Sequence, residues 1–362
     1  MKGLEFPVIG TKVKGLNTVF DLTGPAGRAK YFDAKVGDEI RHLKEYLKHN
    51  NFIAYFLGKK NAGKGTYTKL FTEIFGEDKV AHVSVGDLVR DVHKNWETFS
   101  KTSDFEKLKR LYRGYISFDD AVAALKGRST KTLLPTEFIL ALLKLHISKL
   151  GGKSLFIDGL PRESDQMSYA LYFRDLAGYT DAPDLFILID IPESVIDERI
   201  KFRVVCPVCQ TSRNMKLLIT SKAGYDENKK EFYLSCDNPT CRGVRMERKE
   251  GDELGLAPIR QRLIKDEEII KIAFSLHGMP KILLRNHVAV SEAAKYFDDY
   301  EITPEYVLSL DEKTKKVKVT EKPWTVKDDN GVESFSLLAP PVVVALIKQV
   351  AEVLDIIQTS HV

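Results

Sequence analysis

Cysteine is scarce in this sequence, four residues in 362, and all four fall between Cys206 and Cys241. Random scatter would rarely confine them so. Long hydrophobic runs are missing too: no stretch is long enough to span a membrane, so no membrane partner is expected. The start, MKGLEFPVIG, lacks the basic-then-apolar pattern of a signal peptide, which predicts a cytoplasmic protein. An excess of one charge is nearly absent. Against 55 Lys and Arg stand 51 Asp and Glu, a formal +4, so no nucleic-acid partner is expected. Internal repeats and low-complexity tracts are also lacking.

What remains is an ordinary globular composition, 43% hydrophobic and 29% charged, in a chain long enough for two or three structural units. Four short runs are almost wholly apolar or begin so: FIAYFL (52–57), KVAHVS (79–84), SLFID (154–158) and DLFILID (184–190). Such runs suit parallel strands buried on both faces. Helical patterns alternate with them at 64–76, 135–150, 164–177, 192–203 and 259–275, which predicts an α/β fold with a parallel sheet flanked by helices. Before the first strand, Gly24–Gly27 reads as a turn and Val36–His49 as an amphipathic helix, with Ile40, Leu43 and Leu47 on one face. Residues 204–258 break the rhythm and read as an insertion with its own small architecture. Residues 300–340 read as β-rich or irregular, with DDNG (328–331) as a hairpin turn, and Val342–Ile357 as a closing helix.

Chemistry enters at GKKNAGKGTYTK (58–69). The spacing Gly58-x4-Gly63-Lys64 follows an apolar run and opens a helix, the context a phosphate-binding loop requires. Glycines let backbone N–H groups turn toward phosphate oxygens, and the helix N-terminus adds a favourable field. On the loop alone, a ligand-free strand–helix turn is the alternative. Cys206-x2-Cys209 and Cys236-x4-Cys241 form two close pairs of soft ligands, a tetrahedral zinc pattern. Four thiolates leave no open position, so such a zinc would be structural. Unrelated buried thiols, or two disulfides in a secreted chain, are the alternatives; clustering and the absent signal peptide weigh against both.

The loop, then SVGDLVR (84–90), then DGLPRESDQ (158–166), in that order, resemble the adenylate kinase / nucleoside monophosphate kinase family. Gly65, an oddity in other phosphate loops, is normal in that family, and Thr66 sits where its threonine sits. With two downstream arginine motifs the resemblance covers about residues 52–275. It implies reversible, Mg²⁺-dependent transfer of the ATP γ-phosphate to AMP, giving two ADP, by a monomer with a zinc-bearing lid.

Residue by residue, the resemblance places ATP at Gly58, Ala62, Gly63, Lys64, Gly65 and Thr66, with Arg199 over the base. It places AMP at Ser84, Val85, Arg90, Leu133, Leu134, Gly159, Arg162 and Gln166. The cationic catalytic set is Lys64, Arg90, Arg162, Arg203, Arg248 and Arg262; Arg199 and Arg203 are expected on one helix face. Asp87 and Asp158 would hold waters of Mg²⁺, with helix capping a second role for Asp87. The expected division is an N-terminal extension (1–50), a core (51–84 and 151–203), an acceptor lobe (85–150), the zinc lid (204–258) and the rest of the core with an extended C-terminus (259–362).

Val85 stands where the family usually has Thr, so a hydroxyl is lost, and pyrimidine-specific relatives lack it too. A UMP/CMP-type or broad-specificity kinase is therefore the alternative acceptor reading. Outside enzymes, a nucleotide- or nucleic-acid-binding zinc protein without turnover is the competitor.

Overall fold

The computed structural model describes residues 1–127, 134–179 and 181–360. Five strands build the central sheet: β1 (Ile53–Gly58), β2 (Val80–Ser84), β3 (Ser154–Asp158), β4 (Asp184–Asp190) and β5 (Lys281–Arg285). They run parallel in the order β5-β4-β1-β3-β2. Every residue of β1 and β4 is buried, as their apolar runs require. The sequence reading missed β5. As an edge strand it alternates buried and half-buried residues and carries Lys281 and Arg285 at its ends, so no continuous apolar run marks it.

Period-two alternation splits β1 between two layers. Phe52, Ala54 and Phe56 face one core with α1 (Pro25–His49), α2 (Lys64–Phe75) and α8 (Ala339–Ser360). Ile53, Tyr55 and Leu57 face the other. That second layer holds α3 (Val85–Lys94), α4 (Thr136–Ile147), α5 (Gln166–Ala177) and α7 (Arg260–Ser275). Between them in sequence, α6 (Glu193–Lys201) follows β4 and buries Val195, Ile196 and Ile200 in the first core. No helix among the described residues is long and apolar enough to cross a membrane.

Phe156 on β3 is fully buried against Phe52, Phe56 and Phe71, with ring centroids 5.5, 5.4 and 5.0 Å away. Phe156→Ala is expected to cost about 3–5 kcal/mol, read as a lowered urea midpoint with an unchanged slope.

Two helical expectations need correcting. Gly24–Gly27 is the start of α1 rather than a separate turn: Pro25 occupies the first turn, where its missing N–H costs nothing. The helix then runs through Val36, where one residue leaves helical geometry (φ −149°, ψ 33°). Arg203 is not on the helix of Arg199. α6 ends at Lys201, and Arg203 opens the short strand Arg203–Val205 that pairs with Ser212–Asn214 and Glu247–Arg248.

After β5 the chain makes His287–Ala289, which pairs with Glu333–Ser336; that strand pairs in turn with Thr325–Lys327 around the DDNG turn. A second hairpin joins Pro304–Leu310 to Val317–Pro323.

Candidate active site

Sheet order fixes where a ligand can sit. β1 lies between β3 and β4, while the chain runs from β1 to the far edge at β2. The connections therefore part beside β1, and a crevice opens at the carboxyl ends of the strands. The loop 58–63 lies there. Asn61 adopts φ +66° and Gly63 φ +102°. A short polar side chain tolerates that region, so Asn61 can replace a glycine. Gly63 cannot be replaced so easily: a Cβ there would stand 2.8 Å from the Tyr67 ring. At Gly65 a Cβ would meet only His82, at 3.8 Å, so the protein's own packing does not demand glycine.

Lys64 begins α2 and folds back over the loop. Its Nζ donates to Gly58 O at 2.8 Å, with Lys59 O at 3.4 Å and Asp158 Oδ1 at 3.6 Å. Register sets Asp158 directly beside Ser84 on the neighbouring strand. Ser84 caps α3 by accepting from Asp87 N–H. His82, on β2, is exposed beside Asp158 and Asp87.

One cleft is lined by Gly58, Lys64, Asp158, Gly159, Arg162, Arg262 and Asp266, among others. Three predicted cations thus meet there, although Arg162 and Arg262 come from different parts of the chain. Arg199 reaches the loop from α6: its guanidinium lies 3.4 Å from Asn61 O and 3.3 Å from Asn286 Oδ1. Arg203 is held by both oxygens of Asp252, each at 2.6 Å. Arg90 is exposed and paired with Asp87, and Arg248 is exposed; neither lines this cleft.

On the acceptor side, Val85 and Leu134 are buried. Gly159, at φ +90°, lets β3 pass close to Val85: a Cβ there would meet Val85 Cβ at 3.4 Å. The Gln166 amide is committed internally, accepting from Arg162 N–H at 2.8 Å and donating to Thr136 Oγ1 at 3.1 Å. Ala62 is buried in the loop, and Thr66 is exposed at the start of α2. Leu133 lies outside the described residues.

The sequence reading missed Asp266. It accepts from Lys60 N–H at 2.8 Å, and burial pushes its carboxyl above the usual range despite Arg262, Lys64 and Arg162 nearby. Its spacing four residues after Arg262, with the side chains 3.8 Å apart, was the available signal. Asn286 was missed because β5, which it follows, was missed.

In the insertion, the four cysteine sulfurs lie within 4.8 Å of one another, and Cys209 Sγ is 3.6 Å from Cys236 Sγ. All four are free thiols. Zinc bound tetrahedrally at about 2.3 Å would set sulfurs about 3.8 Å apart, so this donor set fits that ion and could hold it.

Known proteins show the same likeness. Over 163 residues, 44% of this chain, it is 31% identical to an adenylate kinase of Thermotoga neapolitana. Over less than half of its length, the chain is similar to adenylate kinases. It is 31% identical over 169 residues to an adenylate kinase of Clostridium acetobutylicum and 28% identical over 173 residues to one of Mycoplasma mobile. The chain spans 62% of the length of the Thermotoga neapolitana relative, and 66% and 67% of the other two. No family model matches.

Proposed function

We propose that this protein is a nucleoside monophosphate kinase that transfers the γ-phosphoryl group of ATP to AMP. The observation that carries this reading is the convergence of Lys64, Arg162 and Arg262 with Asp158 on one cleft at the carboxyl end of the sheet. Phosphoryl transfer needs positioning and positive charge more than covalent chemistry, because the transition state spreads charge over phosphoryl oxygens. The loop's N–H groups and Lys64 would hold the donor's outer phosphates, exchanging the Gly58 carbonyl for phosphate oxygens. The open space at Gly65 supports this, since it is kept free by no packing need of the protein itself.

Arg162 and Arg262 would grip the acceptor phosphate and the transferring group from opposite sides, using guanidinium forks of permanent charge. Arg90, Arg203 and Arg248 would join as the lobes close, excluding water that would otherwise take the phosphoryl group. Magnesium carried with ATP would supply further charge at the phosphates, held through water by Asp87 and Asp158. The cysteine cluster would hold structural zinc.

A UMP/CMP-type specificity is the second reading, favoured by Val85, which presents no hydroxyl beside Gly159. With AMP, CMP, UMP, GMP and dAMP offered in a coupled ADP assay, AMP is expected to exceed the others in kcat/KM by about tenfold or more. A faster rate with CMP or UMP would transfer the assignment to the pyrimidine type. ADP formation from none of them, together with tight RNA binding, would favour the non-catalytic reading.

A further inference from the structure

The oddest residue of the phosphate loop is Lys59. Its side chain is 1% exposed, yet its ammonium is ringed by carboxylates: Asp329 at 3.1 Å, Glu193 at 3.3 Å and Glu267 at 3.5 Å. A buried charge persists only where partners offset its lost hydration. Here the partners come from three elements: the DDNG turn, the start of α6 and α7.

The same residue shapes the loop through its backbone. Lys59 O accepts from Ala62 N–H at 3.0 Å, closing the turn, and lies 3.4 Å from Lys64 Nζ. Holding Lys59 therefore holds the frame on which Lys64 rests.

Asp329 is the hub of this hold. One oxygen accepts from Lys59 Nζ and the other from Glu193 N–H at 2.9 Å, at the start of α6. Ser194 adds a second tie by donating to Lys327 O at 2.9 Å. Asp328 fixes the turn by accepting from Asn330 N–H and Val332 N–H, both at 2.9 Å. Burial pushes the Asp329 carboxyl up, but the Glu193 N–H and the Lys59 ammonium outweigh it, and the acid lies below its usual range. Arg199, farther along α6, meets the same loop at Asn61 O. The loop is thus braced at Lys59 by Asp329 and at Asn61 by Arg199 of the helix whose start Asp329 caps.

We propose that Asp329 is a positioning residue for the donor site: the turn 328–331 presets the phosphate loop for the triphosphate before nucleotide arrives. This rests on reading the loop as the ATP site. Preorganisation acts on donor affinity, because a loop that must order on binding loses part of its interaction energy. Losing the brace should weaken ATP selectively and leave the acceptor pocket across β3 untouched.

The test compares full-length wild type, D329A and D329N. Each is measured for Mg-ATP binding by titration, for KM of ATP and AMP, and for Tm without nucleotide. For D329A, Kd and KM for ATP are expected to rise about tenfold while KM for AMP stays near wild type. D329N keeps an acceptor for Glu193 N–H and should recover part of the loss. Equal rises in both KM values, or an ATP Kd at the wild-type level whatever the Tm, would overturn the proposal. Should D329A fail to fold, D329N carries the test on the same readouts. A wild type that binds Mg-ATP but forms no ADP would overturn the kinase reading and leave the titration decisive for Asp329; one that binds no ATP would overturn both.

Discussion

Replacing Lys64 by Met is expected to lower kcat by about 10²- to 10³-fold, the usual loss when one preorganised donor to a developing charge is removed. The lysine side chain is only 11% exposed, and its ammonium rests on the Gly58 carbonyl beside Asp158. Nothing else in the cleft can replace it from the same side, since Arg162 and Arg262 enter from other elements. Methionine nearly matches the lysine stem in volume, and the freed Asp158 carboxylate is partly open to solvent, 25% exposed. The fold should therefore hold. A coupled ADP assay beside a circular-dichroism melt separates loss of chemistry from loss of structure. Full phosphotransfer by a natively folded Lys64→Met variant would sink the assignment of this cleft.

Loss of a zinc held by the four cysteines is expected to have the second largest effect. Metal analysis of the purified chain should give about one zinc per chain, and Cys236→Ser or strong chelation should lower it. Residues 204–258 have little core of their own: Val204, Leu234 and Met246 with three of the cysteines are the buried members. Such a small cluster cannot offset the entropy of ordering the segment. Zinc-finger peptides draw about 10–16 kcal/mol from the metal at neutral pH. Loss of zinc should collapse hydrogen-exchange protection across 204–258 while the central sheet stays protected. Phosphotransfer should fall with it, because Arg203 and Arg248 lie on the strands paired in this segment. A metal-free chain with unchanged exchange and activity would remove the structural zinc.

The buried frame of the fold is legible in the letters alone, because four runs buried on both faces leave an apolar signature. The glycine-rich loop is legible there too, since Gly58 and Gly63 are demanded by local geometry, and so is the cysteine set, which clusters along the chain. Interactions within a few residues, or repeated at a fixed period, can be read from letters. The tertiary structure alone decided what depends on distant partners. β5 sits at an edge, so its residues lack the two-sided burial that betrays a central strand. Arg203 left the helix because α6 stops at Lys201, and its carboxylate partner, Asp252, is 49 residues away. Gln166 also bonds to Thr136, 30 residues earlier at the start of α4 and outside the motif that holds Gln166. Lys59 and Asp329 stand 270 residues apart and meet only because β4, α6 and the closing turn converge on the loop. Charge pairing across such distances has no period and no spacing, so it becomes visible only when the chain has folded.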